Sequence, residues 1–433
     1  MSLLAGLKVP GGFHMLWRTL GIRDYRLYVI GNFTSYTGLW VQRVAIGWLA
    51  WQLTESPLWL GLIGFADQLP TLLVGLIAGT LTDRMNYFKL LRMTQSLTMI
   101  YSVVMAVLTF TEVMDIWILL VLTLFRGTIV AFNRPSRMTV VYNLVGREML
   151  PSAISFNSMI FNSSRFIGPA IGGFIIYQWG NAWTFAVGAL MFLVFTICLH
   201  MMRPVDVIVP PKSGKSMLAD SLDGLGYVLH HAGIRTQMII LTVTSLFARP
   251  LTDLLPGFAA EVFGNGAHGL ALMQSSHGIG AMIGGVLMLG FAKLKGLVRV
   301  TLSNILIIGA ACLAFSFVGA DHFWLACILM GGIGYSFVVQ NTSNQTLTQS
   351  AVDPEMRGRV MSLYGLVARG GPALGALVMG AAAEHFGLRA PVAIGAVVCL
   401  LLWIWAWRQR KPMAATLESD PPVAADKKGH GLG

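Results

Sequence analysis

The sequence predicts an all-α integral membrane protein with twelve transmembrane helices in two pseudo-symmetric bundles of six. Three observations carry this reading. The chain is 55% hydrophobic and only 11% charged over 433 residues, whereas about a quarter of a soluble globular domain is charged. Twelve apolar runs succeed one another between residues 25 and 407, each near the roughly 20 residues that cross a hydrocarbon core about 30 Å thick. Basic residues collect in every second connector: 24 of the 30 Lys and Arg lie there, against Arg389 alone in the alternate set.

The spans are placed at 25–51, 57–81, 90–110, 117–140, 152–177 and 183–201, then 236–256, 267–291, 300–318, 323–345, 360–383 and 391–407. Lys8, Arg18, Arg23 and Arg26 precede the first, and Arg84, Lys89 and Arg92 follow the second. Arg134, Arg137 and Arg147 cluster where the fourth ends. Lys293, Lys295 and Arg299 follow the eighth, and Arg357 and Arg359 the tenth. The alternate connectors carry Glu55, Glu112, Asp115, Glu261, Asp321 and Glu384 beside Arg389. Cytoplasmic loops retain Lys and Arg, so both termini are expected in the cytoplasm and the number of spans is even.

Domain limits follow. Residues 1–24 are a cytoplasmic segment, 25–202 the first six-helix bundle, 203–235 a cytoplasmic central loop, 236–408 the second bundle and 409–433 a disordered tail rich in Ala, Pro, Gly and charge. Within the loop, residues 216–230 place Leu218, Leu222, Leu225 and Leu229 at helical spacing, which predicts an amphipathic helix on the cytoplasmic interface. No short apolar run with a small-residue cleavage site opens the chain, so the first span is expected to direct insertion.

The halves echo each other. Arg165-Phe166-Ile167-Gly168-Pro169-Ala170-Ile171-Gly172-Gly173 in the fifth span has a counterpart in Arg369-Gly370-Gly371-Pro372-Ala373-Leu374-Gly375 in the eleventh, with the Gly-Pro-Ala elements 203 residues apart. Duplication of a six-span unit explains the offset.

Several chemistries are set aside. The charge of +11 is dispersed over many loops rather than massed on one face, which does not suit nucleic acid. Gly214-Lys215-Ser216 resembles the end of a phosphate-binding loop, but its earlier glycine and preceding strand are missing. No metal-ligand cluster and no nucleophile triad is found, so neither an enzyme nor a cofactor is expected. Cys198, Cys312, Cys327 and Cys399 all lie in spans and read as small packing residues. Trp40, Trp48, Trp51, Trp59, Trp179, Trp183 and Trp324 read as outer-boundary anchors.

Local motifs point to a family. Gly79-Thr80-Leu81-Thr82-Asp83-Arg84 resembles the Gly-x-x-x-Asp-Arg loop motif of the major facilitator superfamily, with Asn86-Tyr87-Phe88-Lys89 in place of the usual Gly-Arg-Lys continuation. Arg126-Gly127 resembles the family's buried arginine of the fourth span, and Gly168 to Gly173 its fifth-span exporter motif. Residues 53–61 and 357–364 are similar to the branch that holds the enterobactin exporter and macrolide efflux proteins. The resemblance implies a facilitator fold, efflux by alternating access around a midplane cavity and monomeric action. It also implies that Asp83, with Gly79 and Arg84, stabilises the outward-open state against the eleventh span.

Ionisable residues at membrane depth mark pathways. They are Arg43, Asp67, Arg126, Arg165, Arg249, Asp253 and Arg369. Asp67 and Asp253 are proton-coupling candidates; the bland alternatives are an ion pair of Asp67 with Arg43 or Arg126, and mutual neutralisation of Arg249 and Asp253 four residues apart. The arginines, with Asn157, Gln340 and Asn341, are candidates for the substrate cavity, and their cationic surplus favours an anionic substrate. Gly168, Pro169, Gly172, Gly173, Gly371 and Pro372 are either gating hinges or close-packing positions. The resulting expectation is a proton-coupled exporter of the bacterial inner membrane acting on a polar anionic small molecule such as a siderophore. Macrolide or multidrug efflux is the alternative, and a non-transporting receptor or scaffold a remote one.

Overall fold

The computed structural model describes residues 18–82, 86–203, 217–288 and 294–418. Among them there is no β-strand. The first half comprises α1 (Arg23–Thr54), α2 (Pro57–Thr82), α3 (Tyr87–Phe110), α4 (Ile116–Gly146), α5 (Glu148–Trp179) and α6 (Asn181–Met201). A connector helix, α7 (Met217–His230), leads to α8 (Ala232–Val262), α9 (Gly266–Met288), α10 (Leu297–Phe317), α11 (Phe323–Ala351), α12 (Arg357–Phe386), α13 (Arg389–Arg408) and a short α14 (Arg410–Leu417).

Ten helices are long and apolar enough to cross a membrane, namely α3–α6, α8–α10, the helix ending at Ala351, α12 and α13. The other two, α1 and α2, have the length, at 32 and 26 residues, or about 48 and 39 Å at 1.5 Å per residue. Polar residues in the middle of α1 dilute its hydropathy; Asn32, Ser35, Thr37 and Gln42 are all buried against protein instead of facing lipid.

Local chemistry sets the helix ends. Asn86 caps α3 by accepting from the N–H groups of Phe88 and Lys89, and Asp115 caps α4 by accepting from Ile118. Gly146, at φ +72°, separates α4 from α5. The carboxylate of Glu384, at the far end of α12, accepts from Leu58 N–H at 3.2 Å and from Ser56 Oγ at 2.7 Å, so a residue of the second bundle caps the start of α2 in the first.

Within the first half α1 packs on α5 and α6, and α3 on α4 and α6; within the second α9 and α10 pack on α11, and α8 on α12 and α13. The halves meet along two seams, α2 against α12 and α5 against α9. Both seams depend on missing side chains. A Cβ on Gly380 would lie 2.7 Å from the Pro57 carbonyl oxygen, one on Gly278 2.7 Å from Phe166 Cα, and one on Gly173 would overlap the side chain of Ala271. The Gly380 and Gly173 contacts lie toward the short-loop end, where residues 55–56, 180, 263–265 and 387–388 make the turns, and the Gly278 contact lies near mid-height.

The amphipathic helix of the connector forms as its leucine spacing predicts. Tyr227 donates from its hydroxyl to Asp353 Oδ2 at 3.0 Å, and Asp223 pairs with Arg359 at 3.2 Å, which pins α7 to the start of α12. Val228 is buried while Leu225 and Leu229 remain exposed. The four cysteines are free and buried.

Two expectations fail. Disorder from residue 409 does not hold for the first part of the tail: Arg410–Leu417 is helical, and Met413 and Leu417, four residues apart on one face, are buried. Glu418 then accepts from the N–H groups of Gly296 and Val298 at 2.9 and 2.8 Å, capping α10. The fourth span also runs beyond residue 140 to Gly146, and Arg134 and Arg137, counted with the connector charges at its end, lie well inside the helix. Asp83 and Arg84 lie outside the described residues, as does the segment holding Gly214, Lys215 and Ser216, and Gly79 is described only as backbone of α2.

Candidate functional site

Between the bundles lies a cavity of about 800 Å³. Its lining runs from Leu60 and Pro256 toward the short-loop end to Gln345 and Met361 toward the basic end. Seven arginines and two aspartates line it among the described residues: Arg43, Arg126, Arg134, Arg137, Arg165, Arg249 and Arg369, with Asp67 and Asp253. Charges at such depth are costly unless paired or hydrated, so the way each is held decides what the site can do.

The carboxylates are spoken for. Asp253 Oδ1 accepts from Arg43 Nη2 at 3.0 Å, an ion pair that joins α8 to α1 across the two bundles. Asp67 pairs with Arg126, from α2 to α4 within the first bundle. The mutual neutralisation of Arg249 and Asp253 inferred from their spacing does not occur. Helix α8 is interrupted by a turn at Ala248–Pro250, since Pro250 has no N–H to continue the ladder, and the four-residue register is lost. Arg249 instead donates to Asn341 Oδ1 at 3.0 Å and lies 5.6 Å from the Phe337 ring. Tyr364 donates to the Asn341 backbone oxygen at 3.3 Å.

Arg165 on α5 reaches across the second seam, with Nη2 2.6 Å from His277 Nε2 on α9. Arginine only donates, so Nε2 is the acceptor and the imidazole carries its proton on Nδ1, which faces the Met330 backbone carbonyl outside hydrogen-bond geometry. The Trp40 ring lies 5.5 Å from the guanidinium of both Arg43 and Arg165, a cation–π contact with each. A smaller chamber of about 40 Å³ adjoins this point, lined by Trp40, Arg43, Arg165, Thr252, Gln274 and His277 among others. It has room for water but not for an organic solute.

Arg137 is held without a carboxylate. It donates to Asn133 and Asn32 Oδ1 at 2.6 Å each, Ser35 Oγ at 2.7 Å and Gln95 Oε1 at 3.1 Å, and sits between the Tyr36 and Phe195 rings. This network ties α1, α3 and α4 together, and Asn32 extends it to α5 by donating to Asn157 Oδ1 at 2.5 Å. Arg134 and Arg369 are exposed to the cavity, one from each bundle.

Of the cavity candidates read from the sequence, Arg43, Arg126, Arg165, Arg249, Arg369 and Asn341 therefore line it, with Asp67, Asp253 and Pro372. Two do not. Asn157 is used in the Arg137 network, and Gln340 is fully buried inside the second bundle with neither amide atom hydrogen-bonded; one residue further along α11 turns the side chain by about 100° from Asn341. Gly168 and Gly172 pack α5 on Trp40 and Val41 of α1, Gly173 packs it on α9, and Gly371 packs α12 on Ser245 of α8. Helix α5 keeps helical backbone angles through Pro169.

Arg134, Arg137, Trp40 and His277 are the site residues underrated by sequence reasoning. The first two read as loop charges, and Trp40 as a boundary anchor, although 14 residues separate it from the end of α1 at Thr54. That spacing, about 21 Å along the helix, was the available signal.

The fold is shared with solved transporters. A bacterial homologue of the human lysosomal transporter Spinster, solved inward-facing and unoccupied, superposes with a TM-score of 0.66 at 15% identity, covering 96% of this chain and 100% of that one. By sequence, the Staphyloferrin A transporter of Staphylococcus aureus (strain NCTC 8325 / PS 47) is 26% identical over 84% of this chain and 90% of its own. The multidrug efflux pump Tap of Mycolicibacterium fortuitum is 27% identical over 88% and 94%. Both sequence relatives are transporters by name, the second of them an efflux pump. With the profile of the transmembrane secretion effector family matching residues 16–427, the chain belongs to that family of major facilitator transporters and is a multi-pass membrane protein of the efflux type.

Proposed function

We infer that the protein is a proton-driven exporter of the bacterial inner membrane whose substrate is a polar anionic small molecule, a siderophore being the representative case. The cavity carries this reading: seven arginines against two aspartates leave a formal surplus of five positive charges facing the substrate space. Guanidinium forks suit carboxylate, catecholate or phosphate oxygens. With the basic connectors read as cytoplasmic, both termini and the basic end of the cavity lie there too, and the cavity loads from inside the cell. The two six-helix bundles, residues 25–202 and 236–408, rock about the cavity, and a single chain suffices.

Asp67 and Asp253 supply the coupling. A proton on Asp253 removes the charge that holds Arg43, so the bond across the closed end is lost and that end is free to open; a proton on Asp67 releases Arg126 in the same way. Protons entering from outside thus exchange for the outgoing anion. Efflux of macrolides or other amphipathic drugs is the second reading, favoured by the aromatic side chains of Tyr36, Trp40, Phe161 and Phe337 in the cavity wall.

A retention assay separates the two. Cells expressing the chain should clear a preloaded carboxylate or catecholate siderophore faster than cells without it, and an uncoupler should abolish the difference. Unchanged siderophore retention together with lowered macrolide susceptibility overturns the anionic reading in favour of the drug pump.

A further inference from the structure

The cavity charges are stratified, and the stratification constrains the ligand. At about 1.5 Å per residue, Arg43, Asp67, Arg126, Asp253 and His277 stand about 13–17 Å from the short-loop ends of their own helices. Arg165 and Arg249 stand about 20 Å from it, and Arg134 and Arg369 about 26 Å. Every carboxylate is in the first layer, where it is already paired. The two layers nearer the basic end contain no acidic side chain among the described cavity residues.

Each uncompensated layer holds one arginine from each bundle. Arg165 belongs to α5 and Arg249 to α8; Arg134 belongs to α4 and Arg369 to α12. In both layers the two arginines line the same cavity. The neighbours holding Arg165 and Arg249 are His277 and Asn341, which are neutral acceptors, and the Nε of each arginine is buried without a partner. Arg134 and Arg369 are exposed to the cavity.

Resting on the anion-export reading, we propose that these two pairs form a bivalent anion site. Arg165 with Arg249 binds one carboxylate-type group and Arg134 with Arg369 a second, about 6 Å nearer the mouth along the bundle axis. The ligand class is a flexible small molecule with at least two separated anionic groups. Such a ligand does more than fill the cavity. In both layers it lies between like charges on opposite bundles, so it replaces a repulsion that holds the basic end open with a bridge that draws it closed. A monoanion neutralises only one layer and leaves the other repelling.

The test uses the full chain in nanodiscs, with acetate, succinate, glutarate and adipate as probes at constant ionic strength and binding read by calorimetry. In the unmodified protein at least one dicarboxylate should bind tenfold or more tightly than acetate. Arg249→Gln and Arg369→Gln should each reduce that advantage below threefold while leaving acetate affinity within about threefold, since either variant retains one intact pair. Arg249→Lys and Arg369→Lys keep the charge and serve if the glutamine variants fail to fold. As a second readout, spin labels on Glu148→Cys and Glu355→Cys, both exposed at the basic end, should move closer with the dicarboxylate and not with acetate; the four native cysteines are buried. Equal affinity for acetate and dicarboxylates, or equal loss of both in the variants, overturns the bivalent site while anion export stands. Absence of binding by every probe overturns the site and the anionic reading together.

Discussion

Arg43 on α1 and Asp253 on α8 meet at 3.0 Å, an ion pair between the bundles at the closed end of the cavity. Both side chains are only partly buried, at 36% and 17% exposure, so water moderates the bond. Asp253→Asn leaves Arg43, which shares the Trp40 ring with Arg165, without its ion-pair partner. That variant should lose proton-driven transport, and the charge-reversed pair Arg43→Asp with Asp253→Arg should recover part of it. A double-mutant cycle on thermal unfolding is expected to give a coupling of about 1–3 kcal/mol. A coupling of zero means that the pair does not hold the seam.

Asp67 and Arg126 lie within one bundle, and Arg126 is the more deeply buried, at 8% exposure. Removing the carboxylate strands a buried cation, a change that costs about 3–5 kcal/mol in a fully buried pair and about 2–3 kcal/mol here, where Asp67 is 24% exposed. Asp67→Asn should therefore unfold at a lower temperature, with Asp67→Asn combined with Arg126→Gln recovering most of the loss. Transport driven by an imposed pH gradient should be absent from the single variant even where it inserts normally.

Gly173 faces Ala271 so closely that any Cβ overlaps it. Gly173→Leu should prevent the α5–α9 seam from closing while leaving each bundle folded. Labelling of a cysteine at Ala267, which is buried beside Gly173 near the short-loop end, is expected to become accessible in that variant and to stay protected in Gly285→Leu, where the nearest atom is 3.9 Å away.

The end of the chain divides at Glu418. Truncation after residue 418 should leave stability unchanged, whereas truncation after residue 408 removes Met413, Leu417 and the Glu418 cap on α10. Two buried apolar side chains at about 1.5–3 kcal/mol each and a cap of about 1 kcal/mol predict a clear drop in melting temperature, read by tryptophan fluorescence.

The fold was largely legible because lipid imposes two simple demands, long apolar runs and basic loops on one side, that survive without any knowledge of contacts. The amphipathic spacing of Leu225 and Leu229 likewise produced the connector helix as read. Pairing was less legible. The spacing of Arg249 and Asp253 argued for mutual neutralisation, but Pro250 breaks the register on which the argument rests, and partners 210 residues apart in sequence, Arg43 and Asp253, replace it. Arg134 and Arg137 looked like loop charges because they were grouped with Arg147 at the end of the fourth span, when only Gly146 ends it. The tail misled through composition: its charge and proline conceal Met413 and Leu417, whose burial needs the groove that α8 and α10 present.

The most direct test of the account is transport in proteoliposomes holding only this chain, with an imposed proton gradient and the basic end facing the outer buffer. A labelled siderophore carrying two or more anionic groups should accumulate in the lumen, and Arg249→Gln should reduce its uptake at least tenfold. Gradient-driven uptake of a macrolide, with no uptake of the anionic siderophore and no effect of Arg249→Gln, would contradict it.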